Sequence, residues 1–192
     1  RGNDREGRAV KSPDNQNEAF IREGNIWIRN LKNMKERQLS LDGSAGEYYS
    51  AEIFWSPDSK KLVSMKTRPA EQRLIYFVES SPKDQLQPKL HKREYTKPGD
   101  ALPQRKPVIF DIDNNSSLTP STALFENQFD LGSLRWNKDS KAVTFEYNAR
   151  GHKFYRVLEM SATSGDVRPV VEEKSDTYVN YNRMYRYDME DK

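Results

Sequence analysis

Apolar and polar positions alternate along this chain in short runs separated by clusters of turn-forming residues. Leu62-Val63-Ser64-Met65, Ala142-Val143-Thr144-Phe145-Glu146-Tyr147 and Phe154 to Met160 carry the period of two expected of half-buried strands. No stretch carries a convincing helical period. One turn punctuates the runs three times: Ser12-Pro13-Asp14-Asn15, then Trp55-Ser56-Pro57-Asp58-Ser59-Lys60-Lys61-Leu62-Val63, then Trp136-Asn137-Lys138-Asp139-Ser140. Proline presets φ for the turn, and the aspartate accepts a backbone N–H inside it. Ser56 follows Ser12 by 44 positions and Asn137 follows Ser56 by 81, close to two such steps. A repeat of about 40–45 residues built from a turn and strands predicts the blades of a β-propeller.

In chain order, the first unit runs from Val10 to the Asp42-Gly43 turn. Gly24-Asn25 is its hairpin signal, and a third strand is expected at Gln38-Leu39-Ser40. The second unit runs from Ile53 through Leu62–Met65 into Arg73–Val78. Residues 80–105 hold Pro82, Pro88, Pro98 and Pro103 among charges, which predicts an extended loop crossing between blades. A third unit, lacking the turn, is expected at Pro107–Ile112 with a weak strand near Ala123-Leu124-Phe125. The fourth unit, Ser133 to Val171, reads as four strands joined by short turns. A further alternating segment begins at Thr177 and runs to Tyr187. The fold class expected is all-β, a partial β-propeller of four-stranded antiparallel blades, about three and a half to four of them, over residues 10–192. Residues 1–9 are charged and expected to fray. Trp55 and Trp136, each one residue before its turn, are expected to pack between blades.

Composition narrows the function classes. Only 34% of the 192 residues are hydrophobic, but 11% are aromatic and they sit in alternating runs, which argues against disorder. The balance of 32 basic and 29 acidic side chains argues against a nucleic-acid partner. No apolar run approaches the roughly 20 residues of a membrane helix, so no membrane partner is expected. With no cysteine, disulfides and thiolate zinc sites are excluded. The chain opens on Arg1 and carries no secretion signal, so an excised or processed piece is expected.

Ser12-Pro13-Asp14 with Gly24-Asn25-Ile26-Trp27-Ile28-Arg29, and Trp55-Ser56-Pro57-Asp58-Ser59-Lys60-Lys61-Leu62, resemble the N-terminal β-propeller of the dipeptidyl peptidase IV family of serine peptidases. The most specific stretch is Tyr95-Thr96-Lys97-Pro98-Gly99-Asp100-Ala101-Leu102-Pro103, leading into Pro107-Val108-Ile109-Phe110-Asp111. Trp136 to Glu172 resembles the blade that follows. The resemblance implies a propeller that precedes an α/β-hydrolase domain with a Ser-Asp-His triad, shields its cavity and holds the free N-terminus of a peptide substrate. It also implies release of dipeptides and a periplasmic or secreted location. The rival reading is a non-enzymatic propeller of the TolB or WD40-like type that binds a protein partner.

The chemistry of catalysis is absent from the chain. A nucleophile elbow needs Gly-x-Ser-x-Gly, and Gly43-Ser44-Ala45-Gly46 misses it by one residue. The only histidines, His91 and His152, have no serine and acid nearby in sequence and read as surface residues. No catalytic residue is therefore expected here, and the hydrolase domain is expected to lie beyond this chain. Asp111-x-Asp113-x-Asn115 opens like a calcium loop, but Ser116 and Thr122 stand where glycine and glutamate are needed, so an ordinary turn is expected. No metal or cofactor site is expected. Tyr178, Tyr181, Tyr185 and Tyr187 with Arg183 and Arg186 are explained more simply by a blade strand than by base stacking.

By the resemblance, two adjacent glutamates should anchor the substrate ammonium just before the second turn. Two carboxylates suit that task, since a charge-assisted hydrogen bond is strong in a partly desolvated cavity. Here the stretch reads Gly46-Glu47-Tyr48-Tyr49-Ser50-Ala51-Glu52-Ile53-Phe54, and the adjacent pair is missing. The candidate substrate-binding residues are Glu47, Tyr48 and Tyr49, with Glu47 either an ammonium anchor or an ordinary exposed carboxylate. Alternation puts Glu52 on the opposite face from Glu47. The departure leaves room for a tripeptidyl or broader aminopeptidase. A blade cut short also leaves a sheet edge uncovered, so a homodimer is a further expectation.

Overall fold

Every regular element among the described residues is a strand, as the alternation predicts. A computed structural model describes residues 8–180. The first sheet is β1 (Val10–Lys11), β2 (Asn17–Arg22), β3 (Asn25–Asn30) and β4 (Glu36–Gln38), in that order and antiparallel throughout. The β2–β3 hairpin closes on Glu23 and Gly24, both at positive φ (51° and 74°). That pair of conformations matches the right-handed twist of the flanking strands.

The central sheet begins with β5 (Tyr48–Trp55) and β6 (Lys61–Arg68). The chain then leaves it as a separate two-stranded hairpin, β7 (Leu74–Glu79) and β8 (Lys89–Glu94). It returns as β9 (Gln104–Asp111), paired to β6, and β10 (Ser116–Leu118). The order is β10-β9-β6-β5. The third sheet holds β11 (Gln128–Trp136), β12 (Ala142–Ala149), β13 (Phe154–Ser161) and β14 (Val167–Lys174) in chain order.

The all-β, four-stranded, propeller-type architecture is as expected, but the partition of the middle of the chain differs. The expected second and third units are one blade, with a hairpin inserted between its second and third strands. Residues 80–105 are accordingly not a simple crossing loop, because Lys89–Glu94 pairs along its length with Leu74–Glu79. The prolines bracket β8: Pro82 and Pro88 stand before it, Pro98 and Pro103 after it. Ala123-Leu124-Phe125 is a turn, closed by Phe125 N–H donating to the Thr122 carbonyl at 2.9 Å. The strand expected at Gln38-Leu39-Ser40 is β4, the fourth of the first sheet, and it ends at Gln38. Three four-stranded sheets are complete among the described residues. The segment expected to fray, residues 1–9, lies mostly outside the described residues, as does most of the Thr177–Tyr187 segment.

Burial explains why the central blade carries apolar residues at successive positions. On β6, Leu62 points toward the first sheet and Val63 and Met65 toward the third, and all three are fully buried. On β9, Val108 and Phe110 face the first sheet while Ile109 faces the third. Two cores result, one on each side of the central sheet, and each face is covered only because a neighbouring blade covers it.

The repeated turn fastens blade to blade by the same bonds each time. Ser12 and Ser56 donate from Oγ to the Asp14 and Asp58 carboxylates at 2.6 Å, closing each turn. Asp14 N–H donates to Ser59 Oγ, and Asp58 N–H to Ser140 Oγ, both at 3.1 Å, so each turn is latched to the next. Ser59 and Ser140 hold this position at φ of 62° and 61°, as Asn15 does at 56°. The Trp55 indole donates to the Val10 carbonyl and the Trp136 indole to the Phe54 carbonyl, both at 2.9 Å. The two tryptophans thus bridge neighbouring blades.

Candidate functional site

The Ser-Pro-Asp turns define one rim of the blades. At the opposite rim β5 begins, β6 ends, and β9 and β11 begin. Those strand ends, with the loop 122–127, enclose a cavity of about 290 Å³ between the central and third sheets. Its lining includes Glu47, Lys66, Arg68, Arg105, Lys106 and Glu126. Phe125, fully buried and set edge-on to Phe145, forms apolar lining beneath the charged mouth.

Glu47 is half-buried and ringed by cations. Its carboxylate lies 3.3 Å from Lys106 Nζ, 3.7 Å from Lys66 Nζ and 3.9 Å from Arg68 Nη2. Burial opposes its ionisation, but the Lys106, Lys66 and Arg68 charges outweigh that and hold its carboxyl below the usual value. Lys66 is buried on a strand covered on both faces. Its ammonium meets Asp42 at 2.5 Å and sits 5.5 Å from the centre of the Tyr49 ring. Asp42 is likewise held below its usual value, because the Lys66 and Tyr49 hydrogen bonds overcome the effect of burial.

Tyr49 is almost fully buried, stacked edge-on to Phe110, and its hydroxyl donates to Asp42 at 3.0 Å. Burial, then the Asp42 charge, pushes its phenol well above the usual value. It positions Asp42 and has no surface to offer a substrate. Tyr48, the first residue of β5, is partly exposed and packs over the Gly24 turn. Glu52 sits on Arg105 at 2.6 Å. Glu47 and Glu52 are thus matched by consecutive β9 residues, Lys106 and Arg105, whose side chains leave the strand on opposite faces.

Arg105 is fixed on all sides. Its guanidinium also donates to the Leu131 carbonyl at 2.8 Å, and the buried Gln128 amide pairs with its backbone N–H and carbonyl at 2.8 and 2.7 Å. Sequence reasoning missed Lys66, Arg68, Arg105 and Lys106. The available signal was Lys66 itself, a cation directly continuing the buried run Leu62–Met65.

The remaining candidates fall elsewhere. His91 lies on the β7–β8 hairpin, stacked on Phe77 and 2.9 Å from Glu79. His152 lies at the β12–β13 turn with its ring against Phe129 and Tyr178. Asp111 accepts from the Asn114 backbone and side-chain amides at 2.9 and 3.1 Å, which closes an ordinary turn. The Tyr95–Pro103 segment turns at Gly99, where φ is 98°, and Arg150 of the third blade donates to the Asp100 carbonyl at 2.6 Å.

Comparison with known proteins agrees with this architecture. The chain is similar to Porphyromonas gingivalis dipeptidyl peptidase 4, with 15% identity and a TM-score of 0.67 over 90% of this chain and 26% of that one. It is also similar to a putative dipeptidyl aminopeptidase IV from Bacteroides ovatus, with 14% identity and a TM-score of 0.66 over 92% of this chain and 25% of that one. The chain thus spans about a quarter of the length of these solved structures. Residues 3–191 match the family described as the dipeptidyl peptidase IV (DPP IV) N-terminal region, and the chain belongs to that family.

Proposed function

We propose that this chain is the non-catalytic propeller part of a dipeptidyl-peptidase-IV-like serine exopeptidase, periplasmic or secreted, that gates and orients peptides for an α/β-hydrolase domain. The family match over residues 3–191 carries the reading. The polar cavity at the rim away from the Ser-Pro-Asp turns supports it, since a peptide needs both charged partners and an apolar floor. Glu47 and Tyr48 are the candidates of the β5 entrance that would meet the peptide. The test uses the full-length protein. Short peptides should lose N-terminal dipeptides, while a folded protein with the same N-terminal residues should be spared. Equal cleavage of both would end the gating role, and cleavage of neither would end the peptidase reading.

The proposed macromolecular partners are the protein's own hydrolase domain and a second copy of the chain. The β7–β8 hairpin supports the second, because Leu74, Tyr76, Phe77, Val78 and Leu90 are all exposed on a ribbon with no core of its own. Sedimentation of the full-length protein should give a dimer, and Tyr76→Ser with Leu90→Ser should give a monomer. A monomeric parent at high concentration would overturn the assignment.

A further inference from the structure

The lining of the rim cavity carries four cations against two carboxylates, Glu47 and Glu126, and the imbalance is local to Arg68 and Lys106. Of the four cations in its lining, two are matched from outside it: Lys66 by Asp42 and Arg105 by Glu52. The other two, Arg68 and Lys106, share one carboxylate, Glu47, at 3.9 and 3.3 Å. These are long contacts for charge-assisted bonds, which close to about 2.7–2.9 Å when well formed. The Arg68 side chain is 68% exposed, so much of its planar fork of donors is open to solvent. Glu126, exposed in the loop before β11, is the other carboxylate of the lining and makes no ion pair among the described residues.

An ammonium approaching Glu47 would meet three cations already gathered there. A carboxylate arriving at the same place would meet two cations with only one carboxylate between them. We infer that this cavity holds a carboxylate of the bound peptide, with Arg68 and Lys106 as its ligands and Glu47 as the internal counter-ion that it displaces. The inference rests on the peptide reading above. The carboxylate has two possible sources, an acidic side chain or the C-terminus of a short peptide.

The experiment is equilibrium binding to the full-length protein, with cleavage followed separately. The probes are a tripeptide bearing one glutamate, its glutamine counterpart, and both again with an amidated C-terminus. The expected result is about tenfold tighter binding of the acidic form, shrinking as salt is raised. Preference that follows the glutamate assigns the side chain, and preference lost on amidation assigns the C-terminus. Arg68→Gln with Lys106→Gln should bring the ratio near one. Glu47→Gln should raise it, because the competing carboxylate is gone, whereas an ammonium-anchoring Glu47 would weaken every peptide alike. Equal binding of all four probes, or a preference that survives the double substitution, overturns the inference. Failure of cleavage with the binding preference intact counts against the peptidase reading alone.

Discussion

Replacing Lys66 by alanine is expected to cost about 3 kcal/mol of folding stability, the low end of what removing one partner of a buried ion pair costs. The side chain is only 7% exposed, between Asp42 at 2.5 Å, Glu47 at 3.7 Å and the Tyr49 ring. Removal leaves Asp42 without an ion pair among the described residues and Glu47 with only Lys106 and the more distant Arg68, and it opens a void where the aliphatic stem packed. The low end applies because the Asp42 side chain is 61% exposed and recovers hydration. Lys66→Met keeps most of the stem and isolates the charge. Hydrogen exchange of β5 and β6 amides in the full-length protein would read the loss. The pH dependence separates charge from packing. Asp42 and Glu47 have folded-state pKa values below their usual ones, so their contribution is present above about pH 4. It is lost as pH falls through the folded-state values. The gap between the parent and Lys66→Met should therefore narrow on acidification below that pH. A gap independent of pH would mean that Lys66 acts through packing.

Much of this architecture was legible because it is locally encoded. Pro13 and Pro57 preset the turn, Asp14 and Asp58 close it, and the alternation in Leu62–Met65 and Ala142–Tyr147 shows directly as two-faced burial. The hairpin excursion was not legible, because nothing in β6 states that its next partner is β9, beyond an insertion. Proline density suggested a loop, yet prolines at 82, 88, 98 and 103 exclude strands only where they stand. The site divided in the same way. Glu47 stood out by its place before the second turn, whereas Arg68, Arg105 and Lys106 look like ordinary charges at strand ends. They become a cluster only when β5, β6 and β9 bring their ends to one rim. Tyr49 is a candidate by its place beside Glu47 before the second turn, but the strand buries it against Phe110.

Gly43→Ala is expected to destabilise the junction between the first and central blades by about 2–3 kcal/mol, as overpacking of a tight contact does. The reason is space, since Gly43 has no left-handed φ to protect. A Cβ there would lie 2.2 Å from the Gly24 carbonyl oxygen and 2.7 Å from its carbon, and backbone atoms cannot rotate out of the way. The Gly24 turn cannot retreat freely either, because its carbonyl also accepts from Tyr49 N–H at 2.9 Å. Nor can the loop retreat without losing Gly43 N–H to Asn25 Oδ1 at 2.8 Å. Displacement would carry Asp42 away from Tyr49 and Lys66, so this substitution should loosen the same β5 and β6 amides as Lys66→Ala. Gly46→Ala is the control. Its Cβ would meet nothing closer than Ser44 Oγ at 3.9 Å, and its effect should stay within about 0.5 kcal/mol. If the two alanines cost the same, the close approach of the two loops is not what holds the junction. If only Gly43→Ala opens β5 and β6, then the loop from Asp42 to Glu47 is what fixes the cations of the rim cavity in place.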